Sequence, residues 1–99
     1  MHFDLNFSEL VCNLKIEKII IFGNLTMKSN DLDLLIVSDD YEVMYNHKRI
    51  KISKKFIHSI KKLDLICLTL KEFNELQIRP NQFSINILTK GEVLYERRI

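Results

Sequence analysis

Glycine and proline are nearly missing from this chain. Among its 99 residues glycine stands only at Gly23 and Gly91, and proline only at Pro80. That scarcity excludes a glycine- or proline-rich linker and leaves one domain spanning 1–99 as the expectation for a chain of this length. Cysteine is equally sparse. Cys12 and Cys67 stand alone in apolar company, without CxxC or metal-ligand spacing, and read as small buried thiols of a reducing compartment. No apolar run approaches a membrane span, and MHFDLNFSEL at the N-terminus lacks a signal-peptide pattern, so a cytoplasmic protein without a membrane partner is expected. Acidic residues are absent between Val43 and Leu63, where Lys48, Arg49, Lys51, Lys54, Lys55, Lys61 and Lys62 cluster. With no interleaved aromatic set, these lysines read as the solvated face of an amphipathic helix, and nucleic acid is not expected as a partner.

What is present fits a folded domain, with 46% hydrophobic and 28% charged residues and a formal net charge of +2. Ser8 is placed to cap a short helix over 8–14. KIIIF (18–22), stopped by Gly23, reads as a buried strand, and LDLLIV (32–37) as a second. The spacing predicts a long helix over 41–62, with Met44, His47, Ile50, Phe56, Ile57 and Ile60 on one stripe. LDLICLTL (63–70) is a third strand. KEFNEL (71–76) is a helix capped by Thr69 or a neighbour, with its acids on an exposed face. FSINIL and EVLYE, on either side of Thr89-Lys90-Gly91, form either a hairpin or a helix end followed by a strand. The expected class is α/β (α+β), a small mixed sheet with helices packed on it.

Chain order fixes where the strand ends lie. Seven residues, 24–30, separate Gly23 from Asp31. That is too few for a parallel crossover, so the first two strands should be antiparallel if adjacent. The helix between the second and third makes those two parallel. Gly23, Asp31, Asp33 and Asp64 then fall on one edge of the sheet. Asp31 and Asp33, two apart, project to one face, and Asp64 on a neighbouring strand can converge on them. Carboxylates so close repel one another, and a hard divalent cation with oxygen ligands is the ordinary relief.

IIIFGN, SNDLDLLIV, KLDLICLTLKEFNEL and ILTKGEVLYER together resemble the minimal nucleotidyltransferase (MNT-type) domain of the DNA polymerase β superfamily, over nearly the whole chain from about residue 15. The resemblance implies the polymerase β-like nucleotidyltransferase fold. It also implies transfer of a nucleoside monophosphate from a nucleoside triphosphate, ATP in the first instance, to a hydroxyl. In that scheme Asp31 and Asp33 hold two Mg²⁺ ions, while Asp64 ligates one and assists deprotonation of the acceptor. Gly23, Asn24 and Lys28 would face the triphosphate. Asn24 stands where the family has serine, and the loop is shorter and lacks its second glycine, so it would either bind phosphate poorly or use Lys28 as a point charge. The acceptor would come from a partner protein, such as a HEPN-type toxin, from a second subunit in a homo-oligomer, or from a small molecule. The alternative is an antitoxin-like partner-binding module that keeps the fold without efficient nucleotide binding.

Overall fold

A computed structural model describes residues 5–23 and 31–97. Its elements in chain order are α1 (Ser8–Asn13), β1 (Ile16–Phe22), β2 (Asp31–Ser38), a 3₁₀ turn (Asp39–Val43), α2 (Asn46–Lys55), β3 (Lys62–Leu68), α3 (Leu70–Ile78), α4 (Gln82–Lys90) and β4 (Glu92–Glu96). The strands form one mixed sheet in the order β3-β2-β1-β4. β1 runs antiparallel to both β2 and β4, and β2 pairs with β3 in parallel, as chain order requires. Among the described residues no helix is long and apolar enough to cross a membrane.

The sheet carries apolar cover on both faces. Side chains alternate along a strand, so Leu32, Leu34 and Ile36 of β2 join Ile19, Ile21, Leu63, Leu65 and Cys67 on one face, beneath Leu10, Tyr41 and Ile57. Leu35 and Val37 join Ile20 on the other, beneath Phe73 of α3 and Ile87 of α4. This explains the unbroken Leu-Leu-Ile-Val run. β2 is an inner strand covered on both sides, and Leu34, Leu35, Ile36 and Val37 are all fully buried. At the start of β2 the α3–α4 cover ends, and Asp31 is exposed while Asp33 is half-buried.

The expected long helix over 41–62 is broken into parts. Ser38 caps the 3₁₀ turn by accepting from Asp40 N–H, and Tyr41 is sunk in the core with its hydroxyl 2.6 Å from Ser53 Oγ. Met44 and Tyr45 are extended, which separates the turn from α2. Beyond Lys55 the chain leaves helical geometry, and His58 exchanges two backbone hydrogen bonds of 2.8 Å with Asn6. Ile60, assigned inward by the helical stripe, is 82% exposed, and His47 is exposed as well.

Smaller differences have local causes. Asn6 Oδ1 accepts from the Ser8 N–H and hydroxyl, so Ser8 is the first helical residue rather than the cap. Thr69 caps α3 as expected, in a reciprocal box with Glu72. Asn81 and Ser84 form the same box at the start of α4, so FSINIL belongs to a helix, and the helix-then-strand option holds. Cys67 is buried, but Cys12 lies on the outer side of α1 and is exposed. Of the two acids of α3, Glu75 is exposed as expected, while the half-exposed Glu72 is engaged by partners. Burial pushes its carboxyl up, but hydrogen bonds from Arg49 and Thr69 outweigh that and hold it below the usual range.

Gly91 joins α4 to β4 where the backbone meets the sheet. A Cβ there would run into the Ile87 carbonyl and the Ile20 side chain, although its φ of −72° is open to any residue. Gly91→Ala should therefore destabilise by about 1–3 kcal/mol through overpacking. Urea denaturation checks this, and an unchanged midpoint would show that α4 can shift freely.

Candidate carboxylate site

The strand ladders bring the three aspartates to one corner. In the parallel β2–β3 pair Asp33 registers with Asp64 and Asp31 with Lys62. Neighbouring strands are about 4.8 Å apart. Across β1–β2, Phe22 registers with Asp33. By strand alternation Asp31, Asp33, Asp64 and Phe22 all project from the α3–α4 face, at the end where helical cover stops. Packing on the opposite face is left to Leu32, Leu63 and Leu65.

Gly23 completes the corner. It sits directly after β1 with φ +83°, a conformation natural to glycine and strained for other residues. A Cβ added there would strike the Asp33 carboxylate. The glycine thus has two reasons to be glycine, the turn of the chain and the nearness of Asp33. Gly23→Ala should cost about 1–3 kcal/mol from the backbone strain alone and displace Asp33 from its place beside Asp64. Chemical denaturation measures the first effect, and stability equal to the wild type would mean that the corner relaxes without cost.

The electrostatics follow the geometry. Burial first, then the charges of Asp64 and Asp31, push the Asp33 carboxyl above its ordinary value. Each of these causes disfavours the ionised form, and a bound cation would oppose all three. Among the described residues no three His, Cys, Asp or Glu side chains are gathered tightly enough to hold a metal ion unaided. The donor set suits an ion that takes only one or two protein carboxylates and completes its shell from phosphate oxygens and water, as Mg²⁺ does.

Beside Gly23 lies a cleft of about 350 Å³ lined by Phe22, Gly23, Phe83, Asn86, Ile87 and Lys90. The Phe22 and Phe83 rings meet edge to face, 5.9 Å apart at 88°. The cleft therefore adjoins the carboxylates through Phe22, the cross-strand partner of Asp33. Phe83, Asn86, Ile87 and Lys90 follow helical spacing along α4 and were not singled out from the sequence. Reading 82–90 as a helix would have aligned them. Asn24 and Lys28, expected at the triphosphate, lie outside the described residues. A larger groove of about 580 Å³ runs along α2. It lies on the other side of the sheet, because α2 packs through Ile50 against the opposite core.

Away from this corner, His58 lies 3.1 Å from Glu9 on the surface, and Tyr41 is buried. An interaction that local pattern could not reveal is Arg49. Its guanidinium donates to the carbonyls of Met44 and Cys67 and to Glu72 at 2.7 Å, locking α2 to β3 and α3. Compared with known proteins, the chain matches no family model, no curated relative and no solved structure.

Proposed function

We propose that this chain is a nucleotidyltransferase of the polymerase β-like kind. It would move a nucleoside monophosphate from a nucleoside triphosphate, with ATP the first to test, to a hydroxyl of a partner protein or small molecule. The observation that carries the reading is the corner where Asp33 registers with Asp64, Asp31 shares their face, and Gly23 lies against Asp33. A strand ending in glycine beside acids on two neighbouring strands suits a phosphate-bearing ligand approached closely by backbone. The adjoining cleft adds support, because its volume falls within the range of about 300–1,000 Å³ typical of small-molecule sites. It also offers aromatic surface from Phe83 and a cation from Lys90.

In this reading Asp31 and Asp33 would hold Mg²⁺, with Asp64 ligating one of two ions. Bound there, the ions would activate the attacking oxygen and stabilise the leaving one. Asp64 takes the proton as the acceptor hydroxyl forms its bond to the α-phosphorus. The bond from that phosphorus to the bridging oxygen breaks, and pyrophosphate leaves. Gly23 keeps the ground beside Asp33 clear of side chain.

A second reading is a partner-binding, antitoxin-like module. Its support is the apolar surface on α4 and β4, where Ile85, Leu88 and Val93 are exposed. One experiment separates the two. The protein is incubated with Mg²⁺, host lysate and each of ATP, GTP, CTP and UTP labelled at the α-phosphate, with γ-labelled ATP in parallel. Transfer of α-label without γ-label supports the nucleotidyltransferase. Transfer of γ-label would indicate phosphorylation instead, and no transfer from any nucleotide would favour the binding module.

A further inference from the structure

The second side of the molecule carries a surface that the carboxylate corner does not use. α2 presents Lys48, Lys51, Ile52 and Lys55 along one stripe, since these positions are three or four residues apart. Tyr45 continues the stripe at its N-terminal end. The Tyr45 ring is 80% exposed and stacks on His47, with centroids 6.2 Å apart and planes 4° from parallel. These residues line the groove of about 580 Å³. Along the sequence the lysines have no aromatic set interleaved with them. In the fold, a flat aromatic pair stands at the head of the row.

Among the described residues no carboxylate neutralises the charges on this stripe. Lys18, Arg49 and Arg97 each form an ion pair with a glutamate. Lys48, Lys51, Lys54 and Lys55 form none among the described residues. Lys55 interacts in another way, its ammonium lying 5.7 Å from the Phe56 ring centre. No acidic residue interrupts 43–63.

We infer that the Tyr45–Lys55 stripe of α2 binds single-stranded nucleic acid, with a base stacked at the Tyr45–His47 pair and the following phosphates held by Lys48, Lys51 and Lys55. A row of cations alone would take any polyanion. The exposed planar rings select a ligand with accessible π-faces, which an unpaired strand offers and a duplex or an acidic peptide does not. At about 1.5 Å per residue the ten-residue helix is roughly 15 Å long, enough for a short run of nucleotides rather than an extended tract.

The test uses the full chain and a fluorescein-labelled twelve-nucleotide oligouridylate, read by anisotropy across a salt series. Binding should weaken as salt rises. Lys48→Ala with Lys51→Ala and Lys55→Ala should weaken it at least tenfold. The same triple variant should flatten the slope of log affinity against log salt by about 2, near 0.7 for each phosphate no longer neutralised. Tyr45→Ala should weaken binding about fivefold or more with the slope unchanged, and Tyr45→Phe should restore it. Circular dichroism confirms that each variant is folded, as expected for exposed positions. Three results would overturn the inference: no binding at about 20 mM salt, where electrostatic binding is strongest, equal affinity of the wild type and the lysine variant, or displacement by polyglutamate as effective as by unlabelled strand with Tyr45→Ala neutral. The last result would assign the stripe to an acidic peptide.

Discussion

Asp64→Asn should reduce the proposed nucleotidyl transfer by on the order of 10³-fold, within the range for loss of a positioned proton acceptor, while leaving the fold intact. The asparagine has nearly the same shape but neither accepts the proton nor carries charge to a cation. Asp64 is exposed, and its strand neighbours Leu63 and Leu65 bury themselves on the opposite face. The side chain is therefore not part of the packing that holds β3 in place. Its charge also helps push the Asp33 carboxyl upward, behind burial in importance, so removing it relieves repulsion rather than creating it. The melting temperature should stay level or rise. Transfer assays with α-labelled nucleotide and thermal unfolding measure the two quantities on the same preparation. Wild-type activity in the variant would remove Asp64 from the chemistry, and a melting temperature lower by several degrees would make its role structural.

The parts of this fold that were legible in the sequence are those set by local rules. Strand direction followed from seven residues between Gly23 and Asp31 and from the helix between β2 and β3. The meeting of Gly23, Asp33 and Asp64 followed from direction plus a two-residue period. What local pattern could not show depends on distant partners. Tyr41 and Ser53 are bound across the break between the 3₁₀ turn and α2. His58 is drawn out of helical geometry by Asn6, far away in the chain. Glu72 looked like one acid among several on a helix face, and its partner Arg49 lies 23 residues earlier. FSINIL was open between strand and helix because its apolar residues fit a two-residue period as well as a helical one, and the Asn81–Ser84 box decided it. That ambiguity also hid the cleft beside the carboxylates, whose α4 residues share a face only on a helix.

Divalent cation should stabilise the wild type strongly and leave Asp31→Asn with Asp33→Asn unmoved. At a hundred times its dissociation constant, a ligand bound only by the folded state adds about 2.7 kcal/mol. For a domain near 100 residues this corresponds to roughly 10–20 °C in melting temperature. Mn²⁺ with a non-hydrolysable nucleoside triphosphate analogue is the appropriate probe, because in the proposed site phosphate oxygens would complete a shell that the aspartates begin. Without cation the sign reverses for Asp33. Its carboxyl is raised by burial, then by Asp64 and by Asp31, so its ionised form is less favourable folded than unfolded. The contribution of its proton to stability is complete below the unfolded value of about 3.9 and is lost as pH rises through the higher folded value. Asp33→Asn should therefore melt above the wild type at pH 7 in chelator, and that advantage should shrink as pH falls toward about 3, below the unfolded value. Adding Mn²⁺ and the analogue at pH 7 should invert the order, because only the wild type gains. Scanning calorimetry under the three conditions tests the argument as a whole. Equal cation-induced shifts in the wild type and the double variant would place any metal elsewhere. A variant no more stable than the wild type in chelator would mean that the Asp33 charge is already balanced in the fold.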